Sequence, residues 1–239
     1  MSQRKVFNMK KSEIEKLIKE MVESGNEEWN HQYIFPNNIR TRRLDVDSPG
    51  YNTNKWKRLK PIIETIDPNK KSFLDIGCSD GFYSVEIAKI GAQSVLGTDL
   101  DELRIKRAKF AKKILEIKNV EFEVLDLYDT PDKEKYDVVM GLGLLHRIPD
   151  MDRCIKKMCE IGSTVLVEFK TLRSGADIAI SHGGKSKSNS LNKLHKTPSI
   201  IYVKNRFIEL GYDNIVVYED KLSHLNYPRT IIVASKKDA

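Results

Sequence analysis

From residue 72 onward the sequence alternates short apolar runs with helical stretches, and no other feature restricts the fold as tightly. SFLDIG, SVLGTDL, NVEFEVLDL, YDVVMGLGL and STVLVEFK read as strands. Between them FYSVEIAKI, DELRIKRAKFAKKILEIK and MDRCIKKMCEI read as helices. Strand and helix in alternation require a parallel sheet with right-handed crossovers, a doubly wound α/β architecture. Further on, SIIYVKNRFIEL reads as a helix ended by Gly211, followed by two β runs, DNIVVYED and PRTIIVASK. Those two lie too close together for a crossover, so they pair antiparallel.

The segments outside this rhythm read differently. Residues 10–24 place Ile14, Leu17, Ile18 and Met21 on one helical stripe. Residues 26–53 read as loop or short hairpin, and residues 54–66 as a helix with Pro61 as a kink. Residues 171–196, rich in Ser, Gly, Lys and Asn, read as an insertion loop. The expected organisation is a helical extension or lid over 1–71 and one cofactor-binding domain over 72–239.

Charge narrows the function classes. The net charge of +7 divides into +5 for residues 1–71, −4 for 72–169 and +6 for 170–239. Basic ends around an acidic middle attract phosphate, in nucleic acid or in small substrates. Lys outnumbers Arg 29 to 12, whereas dedicated phosphate recognition favours Arg forks. Three cysteines without a CxxC pair argue against a disulfide framework and against a zinc site. No apolar run approaches the ~18 residues of a membrane helix, and the N-terminus has no apolar leader. The reading is a cytoplasmic protein with no membrane partner and no metal; its oligomeric state is not legible.

The segment Phe73-Leu74-Asp75-Ile76-Gly77-Cys78-Ser79-Asp80-Gly81-Phe82 lies between a strand and a helix. Glycines there let the backbone turn tightly and approach a ligand, and the helix start offers free N–H groups. Asp99 ends the next strand, where such sheets hydrogen-bond a ribose, and Asp126 ends the third. The Gly-Lys-Ser/Thr of a P-loop and the G-x-G-x-x-G of a dinucleotide fold are both absent.

On LDIGCSDGFYS, the acid-ended strands and GLGLLHRIPD, residues 72–170 resemble the class I S-adenosylmethionine-dependent methyltransferases. The resemblance implies a seven-stranded, mostly parallel, Rossmann-like sheet with an antiparallel last strand, and S-adenosylmethionine as cofactor. It implies that Asp75 and Gly77 lie near the methionine portion, Asp99 on the ribose and Asp126 or the backbone of Leu127 at the adenine. Ser79, Gly81, Phe82 and Leu100 join the cofactor-binding set, as does Cys78, which also reads as a small packing residue, and Gly141 lies in the motif that faces the transferred methyl. WNHQYIFPNNIRT, GCSDGFYS and LLHRIPD together resemble the branch containing the tRNA wobble-uridine carboxymethyltransferases. Leu145 stands where that branch has a tyrosine reading the carboxylated cofactor, which favours plain S-adenosylmethionine.

Three residues are candidates at the acceptor. His146, just past the fourth strand, has a side chain suited to taking a proton near neutral pH, or to capping the loop before Pro149. Glu168, ending the fifth strand, would orient an acceptor or pair with Lys170 or Arg173. His31, beside Trp29 and Tyr33, would join a lid or dock a surface aromatic cluster. The basic helix around 104–113 reads as a solvated outer face. Residues 26–50 and 171–196 would roof the acceptor pocket. The expected reaction is methyl transfer to an oxygen or nitrogen of a small-molecule or sugar-type acceptor. The alternatives are an RNA methyltransferase, with Arg40, Arg42, Arg43, Lys55, Lys57, Arg58, Lys185, Lys187, Lys193 and Lys196 on one face, and a catalytically degenerate cofactor-binding module.

Overall fold

The computed structural model describes residues 9–42, 52–131, 135–172, 176–182, 194–219 and 228–236. In chain order the main elements are α1 (Lys11–Gly25), β1 (Ile34–Phe35), β2 (Ile39–Arg40), α2 (Asn52–Glu64), β3 (Ser72–Ile76), α3 (Phe82–Lys89), β4 (Ser94–Asp99), α4 (Glu102–Ile114) and β5 (Val120–Val124). Then follow β6 (Tyr136–Leu142), α5 (Met151–Ile161), β7 (Gly162–Lys170), β8 (Ile178–His182), β9 (Leu194–Pro198), α6 (Ile200–Glu209), β10 (Asn214–Glu219) and β11 (Arg229–Ser235). Seven strands form one sheet in the order β10-β11-β7-β6-β3-β4-β5. The pairs β4/β5, β3/β6 and β6/β7 are parallel, and β11 runs antiparallel to β7 and to β10.

By internal contacts the chain divides into two units. Residues 1–72 and 78–125 form the first, and 73–77 with 126–239 form the second. In the second unit β3, β6 and β7 are buried almost continuously, as strands covered on both faces must be. Phe73, Leu74, Val138, Val139, Met140 and Leu166 lie in that core. Asp150 caps α5 by accepting from the Arg153 N–H, and Ser199 caps α6 by accepting from Tyr202. α5 turns directly into β7 at Gly162, where a Cβ would sit 2.6 Å from Val139 Cγ2.

In the first unit Asp101 caps α4, its carboxylate accepting from the Leu103 and Arg104 N–H groups. Pro61 lies inside α2. The short hairpin expected within 26–53 is β1/β2.

Three sequence expectations change. The segment 171–196 is not all loop: β8 and β9 pair antiparallel, Ile178 opposite Pro198 and His182 opposite Leu194. Asp126 does not end the third strand. β5 stops at Val124, and Asp126 caps a short 3-10 turn over Leu127–Asp129, accepting from the Tyr128 N–H at 2.9 Å. The helix around 104–113 is not a solvated face throughout, because Arg107 is 1% exposed. Its guanidinium donates to the Met21, Glu27 and Glu28 carbonyls and lies over the Trp29 ring. Met21 lies in α1 and Glu27 and Glu28 beyond its end, so the guanidinium ties the exit of α1 to α4.

Candidate active site

The first unit resumes at Cys78 with a tight loop before α3. Ser79 and Gly81 have φ of 56° and 78°, and Gly81 precedes α3 directly. A Cβ on Gly81 would lie 2.6 Å from the Phe122 ring and 2.8 Å from Ala108 Cβ, so only glycine fits. The Cys78 N–H donates to the Thr98 carbonyl at 2.9 Å, which ties the loop to β4. Asp99, the last residue of β4, accepts from the Ser79 N–H at 2.9 Å on one oxygen and from the Asp101 N–H at 3.0 Å on the other. Its carboxylate is thereby fixed, while each oxygen keeps a further lone pair. Leu100 beside it is 60% exposed, an apolar side chain presented to solvent. Cys78 and Phe82 are buried.

The loop has a second partner that the sequence did not reveal. Asp80 is fully buried, and both its oxygens face His31. The His31 N–H donates to Oδ2 at 2.9 Å, and Nδ1 forms a short hydrogen bond to Oδ1. Burial alone would raise the Asp80 carboxyl, but the His31 imidazole and the backbone N–H groups of His31 and Asn30 outweigh it and hold the group below its ordinary value. His31 is therefore not part of a surface cluster. Its side chain is 13% exposed, stacks on Phe82 and meets the edge of Tyr83.

In the second unit, Asp75 is buried in β3 opposite Met140. Gly77, at φ 68°, lies where a Cβ would meet Leu144 Cδ1 at 3.2 Å, and Leu144 also covers Gly141. Leu145 is completely buried. Gly143, at φ 74°, donates its N–H to the Glu168 carbonyl at 2.7 Å. Arg229 Nη1, Glu168 Oε2 and His146 Cε1 stand 3.6, 3.7 and 3.8 Å from the position a Gly143 Cβ would take. Two sequence candidates, His146 and Glu168, thus come together around one glycine, and both are buried.

Among the described residues Glu168 pairs with Arg229 and not with Lys170. Arg229 Nη1 donates to both carboxylate oxygens, at 3.1 and 3.0 Å, while Arg173 lies outside the described residues. Lys170 stands opposite Arg229 in the strand register. Its amine is held below its ordinary value by burial and by the nearby Arg229 and Arg147. Asp80 and Arg229 are the two members of these clusters that sequence reasoning missed. Asp80 was visible as the one charged residue between two turn-forming positions, and Arg229 as the cation opening the last strand.

This strand order, with a glycine loop after the first sheet strand and an acid ending the second, defines a class I S-adenosylmethionine-dependent methyltransferase. A family model described as a methyltransferase domain matches residues 67–201, and the chain belongs to that family. Its curated relatives include tRNA U34 carboxymethyltransferases. The protein of Campylobacter fetus is 24% identical over 164 residues, covering 67% of this chain and 56% of that protein. The protein of Pseudomonas aeruginosa is 32% identical over 132 residues, covering 52% and 40%. The chain thus spans about half the length of the curated relatives it matches.

Among solved structures, the N-terminal domain of EvdMO1 in the presence of SAH and D-fucose superposes with a TM-score of 0.75 at 18% identity, covering 96% of this chain and 98% of that one. Magnesium protoporphyrin IX methyltransferase from Synechocystis PCC 6803, with bound SAM, gives 0.64 at 17% identity, covering 93% and 97%. Both share the fold. No helix among the described residues is long and apolar enough to cross a membrane.

Proposed function

We propose that this methyltransferase acts on an oxygen or nitrogen of a small-molecule or sugar-type acceptor. The observation that carries the reading is the ring of His146, Glu168 and Arg229 around Gly143. An imidazole, a carboxylate and a guanidinium converging on one glycine suit a compact polar group. In this reading His146 takes the proton of an acceptor hydroxyl or amine. Glu168, held by Arg229, orients that group through hydrogen bonds.

The residues of the first loop fit the cofactor. Asp99 has lone pairs left for two ribose hydroxyls, Leu100 offers an exposed apolar face for a purine, and Gly77, Cys78, Ser79, Gly81 and Phe82 line the turn. Asp75 is assigned to the methionine portion. Asp126 and Leu127 are assigned to the adenine and Gly141 to the motif that would face the methyl. When bound, S-adenosylmethionine supplies a methyl on a sulfonium, a leaving group that needs little help beyond positioning and exclusion of water.

A small acceptor is also supported by the fate of several cations that an RNA track would use. Arg42 donates to the Trp29 and Asn30 carbonyls, Lys55 lies over the Tyr83 ring and Lys196 donates to the Pro149 carbonyl. Arg43, Lys185, Lys187 and Lys193 lie outside the described residues. The RNA reading rests on relatives named as tRNA U34 carboxymethyltransferases. Incubation with methyl-labelled S-adenosylmethionine and, separately, the metabolite and RNA fractions of the source cell tests the choice. Label in the metabolite fraction is expected. Nuclease-sensitive label confined to RNA overturns the small-acceptor reading.

A further inference from the structure

Asp80 has no task in the reading above, yet it is the most enclosed charge of the loop. A carboxylate without water has to be compensated, and here one residue does most of it: His31 supplies both its backbone N–H and its ring. The neighbours of His31 act on the same loop. Asn30 Nδ2 donates to Ser79 Oγ at 2.9 Å, and the Tyr33 hydroxyl donates to the Asp80 carbonyl at 2.8 Å. His31 and Tyr33 both pack on Phe82, so the grip extends into the first turn of α3. From its other side the loop is held by Asp99 through the Ser79 N–H. Between these holds Ser79 keeps a left-handed backbone, at φ 56°, that a serine does not favour by itself.

We infer that His31 and Asp80 are positioning residues for cofactor binding, joined in a clasp by which residues 30–33 set the shape of the loop. The inference rests on the proposal that this loop holds S-adenosylmethionine. One half of the clasp, His31, lies 49 residues upstream of Asp80, so in this inference the N-terminal segment belongs to the cofactor site functionally as well as by packing. A buried pair that merely anchors the segment predicts something else. Its loss would lower the melting temperature and leave the affinity of the remaining folded protein unchanged.

Calorimetry with S-adenosylhomocysteine separates the two. The wild type is expected to bind one equivalent. His31→Ala and Asp80→Ala, at a temperature where circular dichroism shows them folded, are expected to bind at least about tenfold more weakly, as loss of charge-assisted hydrogen bonds implies. Asp80→Asn is expected to recover much of the affinity, because its amide oxygen still accepts the His31 N–H. Should the alanine variants not fold, Tyr33→Phe removes one hydrogen bond to the loop and keeps the ring, with an expected loss of roughly threefold. Folded variants that bind like the wild type overturn the inference. A wild type that does not bind overturns the assignment of the loop itself, a result distinct from the first.

Discussion

Arg229 Nη1 lies 3.0 and 3.1 Å from the two carboxylate oxygens of Glu168. Glu168 is almost fully buried, with 3% of its side chain exposed, whereas Arg229 keeps 26%. Register explains the pairing. Arg229 is opposite Lys170 on the antiparallel β11/β7 ladder, and Glu168 lies two residues back on the same face.

Removing the cation therefore strands a buried charge. Arg229→Ala should destabilise the protein by about 3 kcal/mol, the usual cost of breaking a buried pair from one side. Glu168→Gln should cost less in stability, since its amide remains able to hydrogen-bond, but should reduce turnover strongly if Glu168 orients the acceptor. Thermal melts and initial rates on the two variants check this. Equal melting temperatures for Arg229→Ala and wild type would contradict it.

Arg107 should prove structural. Its guanidinium satisfies three carbonyls at the end of α1 and the turn after it. Arg107→Ala takes a donor from each of them, and from the Glu27 and Glu28 carbonyls above all, with an expected cost of about 3 kcal/mol. Limited proteolysis should then cut between residues 22 and 31 faster than in the wild type. Unchanged cleavage there would mean that water replaces the guanidinium without loss.

Gly81→Ala should abolish the native loop. The added methyl meets Phe122 and Ala108 within 2.8 Å, and φ stays at 78°. Steric overlap and left-handed backbone together should cost on the order of 2–4 kcal/mol. Denaturant titration measures the loss, and a midpoint equal to that of the wild type would show that the loop relaxes freely.

Acid should act through Asp80. Its carboxyl is held below the ordinary value in the folded protein. The unfolded chain then takes up the proton first as pH falls. The contribution is fully present above about pH 4 and is lost as pH drops through the folded value. Asp80→Asn should be less stable than wild type at pH 7, and the gap should shrink below about pH 4. A gap that stays constant between pH 7 and pH 2.5 would disprove the linkage.

The parts of this molecule legible in the sequence are those governed by local pattern. Val138, Val139 and Met140 form an unbroken apolar run because β6 is covered on both faces, and this makes a parallel strand readable. Asp99 was readable as the acid that closes β4, because the apolar run of that strand stops there. Asp80 and His31 are 49 residues apart, and no periodicity links them. Arg107 looked solvated because it sits in a run of lysines and arginines. Only the carbonyls at the end of α1 gave it an interior, and a helical pattern does not show where another helix ends. β8 and β9 were hidden for a related reason: their pairing is set by register across a polar connection, and the Ser, Gly and Asn around them read as turn.

Asp99 offers the most direct test of the account. If the glycine loop and the end of β4 hold S-adenosylmethionine, isothermal titration with S-adenosylhomocysteine should give one-to-one binding to the wild type. Asp99→Ala should lose about 2–3 kcal/mol, a weakening on the order of 30- to 150-fold, from the ribose hydrogen bonds and from the Ser79 N–H that Asp99 fixes. Wild-type affinity in folded Asp99→Ala, or no heat with the wild type, would contradict the assignment of the site.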